Sequence, residues 1–327
     1  MHEYNLSFSN FCFAKLDAFV FSSVFFMARL GVLYTIGAYL LWGMFPFYFH
    51  ALAEVGAPEI LAHRIWGSLL FVTFLLICVR RWAWLKETLR NPKTLLIFFC
   101  SSLLIGLNWG TYVYTIVSGR ALEASLGYFV NPLISVALGA FFLKEHLRFG
   151  QKLSVAIAAA GVVWITVSTG AAPYLGLFLA TSFAIYGLLR KIAPLGSLEG
   201  LELESMILTP LALAYIAWRY SQGDLALVTG SLETQALILL AGPVTTVPLL
   251  LFAAGVRMIP YSVVGIIQYL SPTIVFFIGV FWFKEPFNVN MLIGFASIWT
   301  AVIVFTVESL RHVRNRRKLQ NAEAVKE

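Results

Sequence analysis

The residue whose chemistry most demands a reason is an arginine set in an apolar stretch. His63-Arg64 interrupts the run that ends at Val79, with Trp66 two positions on. An ionisable side chain inside hydrocarbon is costly unless partnered or wetted, so it is a functional candidate by default. A guanidinium facing a water-filled cavity binds a carboxylate or another acceptor bidentately. The same side chain can instead snorkel to the interface, or pair with Glu123 and fix helix packing. His63 has the reference pKa of about 6.5 that suits a coupling proton. A histidine near a helix end also serves as a plain interfacial hydrogen-bonder. Arg120 and Glu123 stand close enough in sequence for a gate-like ion pair or an ordinary loop pair.

A second group combines amides with aromatic rings. Asn108 and Tyr112 are four apart and share a helix face, with Trp109 beside them; Tyr128 and Asn131, three apart, do likewise. Gln268, Tyr269 and Ser271 stand at the corresponding place later in the chain. Such faces suit a cavity for a neutral or zwitterionic small molecule, with aromatic walls and a few orienting hydrogen bonds. They also serve as glue between helices, since buried amides and hydroxyls bond across a bundle. Enzyme chemistry finds little support: there is no paired-carboxylate site, no HExxH or CxxC metal spacing and no phosphate-cradling glycine loop. No cofactor and no metal are expected. Cys78 and Cys100 lie in or beside apolar stretches, so packing is their expected role.

The elements that position these residues are membrane helices. Hydrophobic residues make up 60% of 327 positions and charged residues 12%, with a mean hydropathy of +0.83. Soluble domains are about 45–50% apolar and about 25% charged, so lipid must solvate this chain and its +7 charge gives no reason to expect a nucleic acid. Apolar runs of about 20 residues place ten spans near 30–50, 60–79, 95–117, 122–143, 150–168, 173–190, 203–220, 234–256, 262–283 and 289–309. Glu202 and Glu204 then start the seventh helix near a membrane face, and Glu308 closes the tenth. Residues 1–28 have no signal-peptide character. They read as a disordered extension or a start-site artefact before Met27-Ala28-Arg29.

Phe129-Val130-Asn131-Pro132 recurs 140 positions later as Tyr269-Leu270-Ser271-Pro272. The register continues without a gap through Gly139 and Gly279 to Lys144-Glu145 and Lys284-Glu285. Two membrane halves from one ancestral unit are a sequence signature of secondary transporters, whose site lies at the repeat interface. Five spans per half is an odd number, so the second half is inverted. The halves are 29–168 and 169–310, followed by a basic tail, 311–327. With both termini cytoplasmic, the loop arginines and lysines gather inside, leaving Arg120, Arg219 and Lys284 outside, as the positive-inside rule requires. A central cavity is expected between the third, fourth, eighth and ninth spans.

The chain resembles the EamA branch of the drug/metabolite transporter superfamily, in its RarD-type form. The resemblance rests on Ala62-His63-Arg64-Ile65-Trp66-Gly67-Ser68, Leu107-Asn108-Trp109-Gly110-Thr111-Tyr112, the run Leu122 to Pro132, Leu143-Lys144-Glu145, Pro248 to Gly255 and Gln268 to Pro272. It implies an all-α membrane protein of ten helices in two inverted five-helix repeats, and export of small molecules from the bacterial cytoplasm. The expected function is a permease working by alternating access, with a small-molecule substrate, membrane lipids and protons as partners and the oligomeric state open. A flippase for a lipid-linked substrate is the alternative; a membrane-embedded enzyme or receptor is disfavoured.

Overall fold

The computed structural model describes residues 27–80, 82–117, 121–169, 174–282 and 289–324. Arg120 and the Lys284-Glu285 pair lie outside these residues, and the side chain of Glu123 is likewise not described. Ten long helices run along the chain: α1 Met27–Ala51, bent at Met44, α2 Ala57–Val79, α3 Pro92–Val117, α4 Ala121–Phe142 and α5 Phe149–Thr169. Then follow α6 Tyr174–Ile192, α7 Ser197–Ser221, α8 Leu232–Met258, α9 Tyr261–Trp282 and α10 Val289–Ala324. Among the described residues nine helices are long and apolar enough to cross a membrane, and α4 is apolar over Gly127–Phe142. No strand occurs among the described residues.

The starts of these helices are set by local chemistry. Pro58 supplies the fixed φ that the first turn of α2 needs. Asn91 accepts from the Lys93 and Thr94 amides at 3.1 and 3.2 Å and so caps α3. Ser231 accepts from the Thr234 amide at 3.2 Å and caps α8. The starts repeat: α2, α3, α4 and α5 begin at 57, 92, 121 and 149, and α7, α8, α9 and α10 at 197, 232, 261 and 289. Every pair differs by 140 positions, the register read from the motifs.

Equivalent helices cross one another antiparallel, which is what inversion requires. Between α2 and α7, Glu59 meets Arg219 while Thr73 meets Glu202. Between α4 and α9, Ser135 meets Gln268. Between α5 and α10, Ser154 donates to the Ala301 carbonyl at 2.6 Å, and a Cβ on Gly161 would stand 3.0 Å from the Gly294 carbonyl. Shifting each partner of the second contact by 140 positions produces the first, so one two-fold axis relates them. Lipid offers no hydrophobic drive for helix association, and small residues that admit close packing hold such crossings.

Some sequence expectations change. α7 begins at Ser197, so Glu202 and Glu204 lie more than a turn inside it, and both are buried. Arg190, in the last turn of α6, is buried as well. Both shifts have one cause: Gly196 ends the α6–α7 turn early, and buried polar partners inside the bundle hold the charges. Cys78 and Cys100 are exposed on outer helix faces rather than packed. α10 continues to Ala324, well past 309, because its tail stays helical after apolar character ends.

Gly161→Leu should force α5 from α10 and cost about 1–3 kcal/mol, lowering the thermal unfolding midpoint of the detergent-solubilised protein. Ala160→Leu, on the exposed side of α5, should leave the midpoint in place; equal losses from both would refute the crossing.

Candidate functional site

Arg64 stands seven residues into α2, roughly 10 Å from its start at 1.5 Å per residue, because Pro58 begins the helix earlier than hydropathy suggests. It does not snorkel. The side chain is buried, and its guanidinium carbon lies 4.8 Å from the Trp109 ring centre, 5.5 Å from Phe49 and 5.8 Å from Phe45. Its Nε donates to Thr245 Oγ1 at 2.9 Å. Among the described residues no carboxylate pairs with it. Among the described residues the charge on Arg64 is met by aromatic faces, each worth about 2 kcal/mol when desolvated, and by the Thr245 hydroxyl.

Backbone geometry makes this box. Gly67 of α2 and Gly242 of α8 face each other so closely that a Cβ on Gly67 would stand 3.1 Å from the Gly242 backbone. That approach brings Thr245 within reach of Arg64. α1 bends at Met44, ahead of Pro46, and turns Phe45 and Phe49 over the guanidinium. α3 brings Trp109 from the other side.

The remaining residues divide. Tyr112 and Tyr128 meet edge to face at 6.0 Å, with Tyr128 about half exposed. Asn131 Oδ1 is near Ser135 Oγ at 3.4 Å, and the same hydroxyl donates to Gln268 Oε1 at 3.1 Å. Gln268 Nε2 is buried and turned toward the Tyr39 hydroxyl. Asn108 donates from Nδ2 to the Leu179 carbonyl at 2.8 Å and to Ser182 Oγ at 2.9 Å, so its amide ties α3 to α6. Tyr269 is buried in the apolar cluster of Phe129, Phe295 and Ile298. Trp109 thus joins Arg64, while Asn108 and Tyr269 hold helices.

His63 is buried. Its Nδ1 accepts from Trp66 Nε1 at 3.0 Å, and its Nε2 lies 3.8 Å from Glu59. Glu59, which drew no notice in the sequence, is the centre of this end of the bundle. It accepts the Ala226 amide at 2.6 Å and Arg219 Nε at 3.2 Å. A lone acid in a first helical turn beside proline looks like a routine N-terminal charge, and nothing local announced its long-range partners. Sequence reasoning also missed Glu202, Glu204, Tyr186 and Arg190 as buried polar groups. The signal for Glu204 was present, because 140 positions separate it from Arg64.

At the basic end of the bundle charged side chains tie the two halves through Glu145 and Arg148, and helices of the second half to each other through Lys191 and Arg257. Glu145 accepts the Tyr261 and Ser262 amides at 2.5 and 2.9 Å, capping α9. Arg148 grips Glu308 bidentately at 2.6 and 2.8 Å. Lys191 donates to the Val256 and Ile259 carbonyls at 2.9 and 2.6 Å, and Arg257 to those of Ala193 and Leu195 at 2.6 and 2.8 Å. No cluster of histidine, cysteine or acidic side chains among the described residues has the arrangement to hold a metal.

Glu59→Ala should leave the Ala226 amide unpaired and cost about 1–3 kcal/mol, read as a lower unfolding midpoint in detergent. Glu59→Gln, which keeps an accepting oxygen, should fall between it and the parent; an unshifted midpoint for the alanine variant would refute the role of Glu59.

The family model of the EamA-like transporter family matches this chain twice, over residues 29–167 and 171–307. YojE of Bacillus subtilis, described as an uncharacterized transporter, is 42% identical over 289 residues, covering 88% of this chain and 96% of its own. Protein RarD of Streptomyces exfoliatus is 38% identical over 296 residues, covering 90% and 94%. In Pseudomonas aeruginosa a relative named chloramphenicol-sensitive protein RarD is 30% identical over 293 residues, covering 88% and 97%. One solved crystal structure shares the fold with a TM-score of 0.62 at 18% identity, over 85% of this chain and 97% of that one. With membrane helices in two inverted repeats and the family pattern in each half, this chain belongs to the EamA-like transporter family.

Proposed function

We propose that this transporter is a secondary carrier that exports a small molecule across the bacterial cytoplasmic membrane by alternating access. Residues 29–168 and 169–310 act as the two rocking halves, with 311–327 as a basic tail inside the cell. The single observation that carries the reading is Arg64. A buried guanidinium boxed by Phe45, Phe49 and Trp109, at the meeting of α1, α2, α3 and α8, is expensive for mere packing. Its natural ligand is a carboxylate or comparable acceptor on a molecule with an apolar or aromatic body.

The surrounding groups fit such a molecule. Tyr112 and Tyr128, close enough to act electrostatically on Arg64, offer rings and hydroxyls. Ser68 and Thr246, flanking the Gly67–Gly242 contact, hold buried hydroxyls that are unpartnered. Buried polar groups are almost always satisfied, so such a cluster favours a binding site over plain packing. The ties between the halves at the basic end, from Glu145 to the start of α9 and from Arg148 to Glu308, support a state whose access lies at the other end. Chloramphenicol appears in the name of one relative and is a sensible member of a test panel.

The experiment is flux in proteoliposomes with radiolabelled phenylalanine, leucine, lysine and chloramphenicol. At least one should move faster than in empty liposomes. Arg64→Ala should then weaken its half-saturation by about 1.5–3 kcal/mol, a factor of ten or more, and Arg64→Lys should not restore it because a point charge lacks the flat fork. No flux of any of the four would refute the carrier reading. A C-terminal reporter active only in the cytoplasm should fluoresce or turn over substrate; activity of a periplasm-only reporter would reverse the orientation.

A further inference from the structure

Glu204 lies seven residues past the start of α7, as Arg64 lies seven past the start of α2. The two-fold axis therefore sets a buried anion and a buried cation at equivalent places on crossing helices. Ser101 Oγ of α3 donates to Glu204 Oε1 at 2.6 Å, and the Tyr186 hydroxyl of α6 donates to Oε2 at 3.2 Å. Arg190 Nη1 of α6 stands 3.7 Å away, near enough for Coulomb attraction and too far for a hydrogen bond. The glutamate and the arginine are 2% and 1% exposed.

Arg190 has a second set of acceptors. Its Nη2 donates to the Ser197 carbonyl at 3.1 Å and leans on that of Gly196 at 3.4 Å, with the guanidinium carbon 5.4 Å from the Phe98 ring. Nε and Nη1 make no hydrogen bond. Gly200 is what admits the guanidinium, since a Cβ there would overlap it. The arginine thus sits between a carboxylate inside the bundle and carbonyls of the α6–α7 turn, and it can lean either way without losing all its partners.

Glu204 also opens on an enclosed cavity of about 10 Å³, room for roughly one water. Ser68 of α2, Trp109 of α3, Tyr186 of α6, Ser205 of α7 and Leu249 of α8 are among the residues of its wall, the rest being aliphatic. Trp109 is shared with the Arg64 box. Beyond Arg190 the next charges are Arg257 of α8 and Glu199 of α7. Lys191 is turned to the Val256 and Ile259 carbonyls, and Glu202 faces away to Thr73 of α2.

We propose that Glu204 binds the proton that drives this carrier, with Arg190 as its charge partner and the small cavity as the link to Arg64. This rests on the carrier reading above. In the step, a proton from one aqueous side adds to a carboxylate oxygen; one O–H bond forms, no electrons change hands, and the charge of the site rises by one. Neutral Glu204 loses its hold on Arg190, which leans to the Ser197 and Gly196 carbonyls, loosening α3, α6 and α7. When the site opens to the other side the O–H bond breaks, the proton leaves and the pair re-forms. Among the described residues Glu202 has no cation paired with it to register such a change, and His63 is tied to Trp66 and Glu59 away from this cavity.

The test uses the intact carrier in proteoliposomes with whichever of phenylalanine, leucine, lysine or chloramphenicol the parent protein moves. A pH gradient should drive net accumulation in the parent. In Glu204→Gln that accumulation should fall about tenfold or more, within the range of ordinary coupling energies, while isotope counterflow at equal pH persists. Glu202→Gln should behave as the parent. The double variant Glu204→Gln/Arg190→Gln, which buries no unpaired charge, should also keep counterflow and lose gradient-driven accumulation. A parent that moves none of the four probes refutes the carrier reading itself. A parent whose flux ignores the gradient, or a Glu204→Gln variant that still follows it, overturns the assignment of Glu204 and leaves the carrier reading intact. Infrared difference spectra of the parent in nanodiscs, acidified without substrate, supply an independent reading. They should show a buried protonated carboxyl band that Glu204→Gln lacks, and a band unchanged in that variant overturns the proposal.

Discussion

Everything in this bundle depends on one constraint: a charge in the apolar interior must find its partners among the helices, because lipid supplies none. The α2–α7 crossing shows how the constraint shapes the fold. Glu59 and Arg219 meet near one end, Thr73 and Glu202 toward the other. Both pairs join equivalent helices of opposite repeats, so their formation requires the antiparallel pairing. Were the helices to slide by a turn, Glu59 would lose the Ala226 amide and Arg219 together. The buried charges therefore set the register of the halves, and the glycine contacts set how near they come.

Much of the fold was legible in the sequence, and for a physical reason. Spanning lipid needs about 20 apolar residues, so hydropathy located the spans to within a few positions. The repeat was legible because motifs inside the helices recur with it: Tyr269-Leu270-Ser271-Pro272 echoes Phe129-Val130-Asn131-Pro132, and the helix starts follow the same interval. The start of α7 was misjudged because Leu198-Glu199-Gly200-Leu201-Glu202 reads as interfacial when its acids are scored as exposed. Buried acids betray themselves only through partners on other helices, and hydropathy averages over exactly the side-chain directions that decide this.

The candidate site was legible in its residue types more than in their directions. Arg64 and Trp109 share one aromatic box, yet nothing in their spacing showed that Phe45, Phe49 and Thr245 would complete it. Those partners come from α1 and α8, through a bend and a glycine contact that only the folded chain reveals. Asn108, four residues before Tyr112, turns to the Leu179 carbonyl and Ser182 instead. A shared helix face fixes direction only within about a hundred degrees, and neighbouring helices divide that arc between them.

The two halves keep one backbone plan while their chemistry diverges. At the place where α2 carries Arg64, α7 carries Glu204; where α1 lends Phe45 and Phe49, α6 lends Tyr186 and Arg190. An exactly symmetric carrier would offer the same ligand site twice and gain no means of linking two different solutes. In the proposed carrier, divergence at equivalent positions would supply that means, since helices that rock one site would also rock the other. Trp109 borders both the Arg64 box and the Glu204 cavity, as does Ile65, next to Arg64 in the chain. On the proposed carrier mechanism, a change in charge at either end would alter the packing demanded of the same indole, the symmetry of the repeats supplying the motion and their asymmetry something for it to couple.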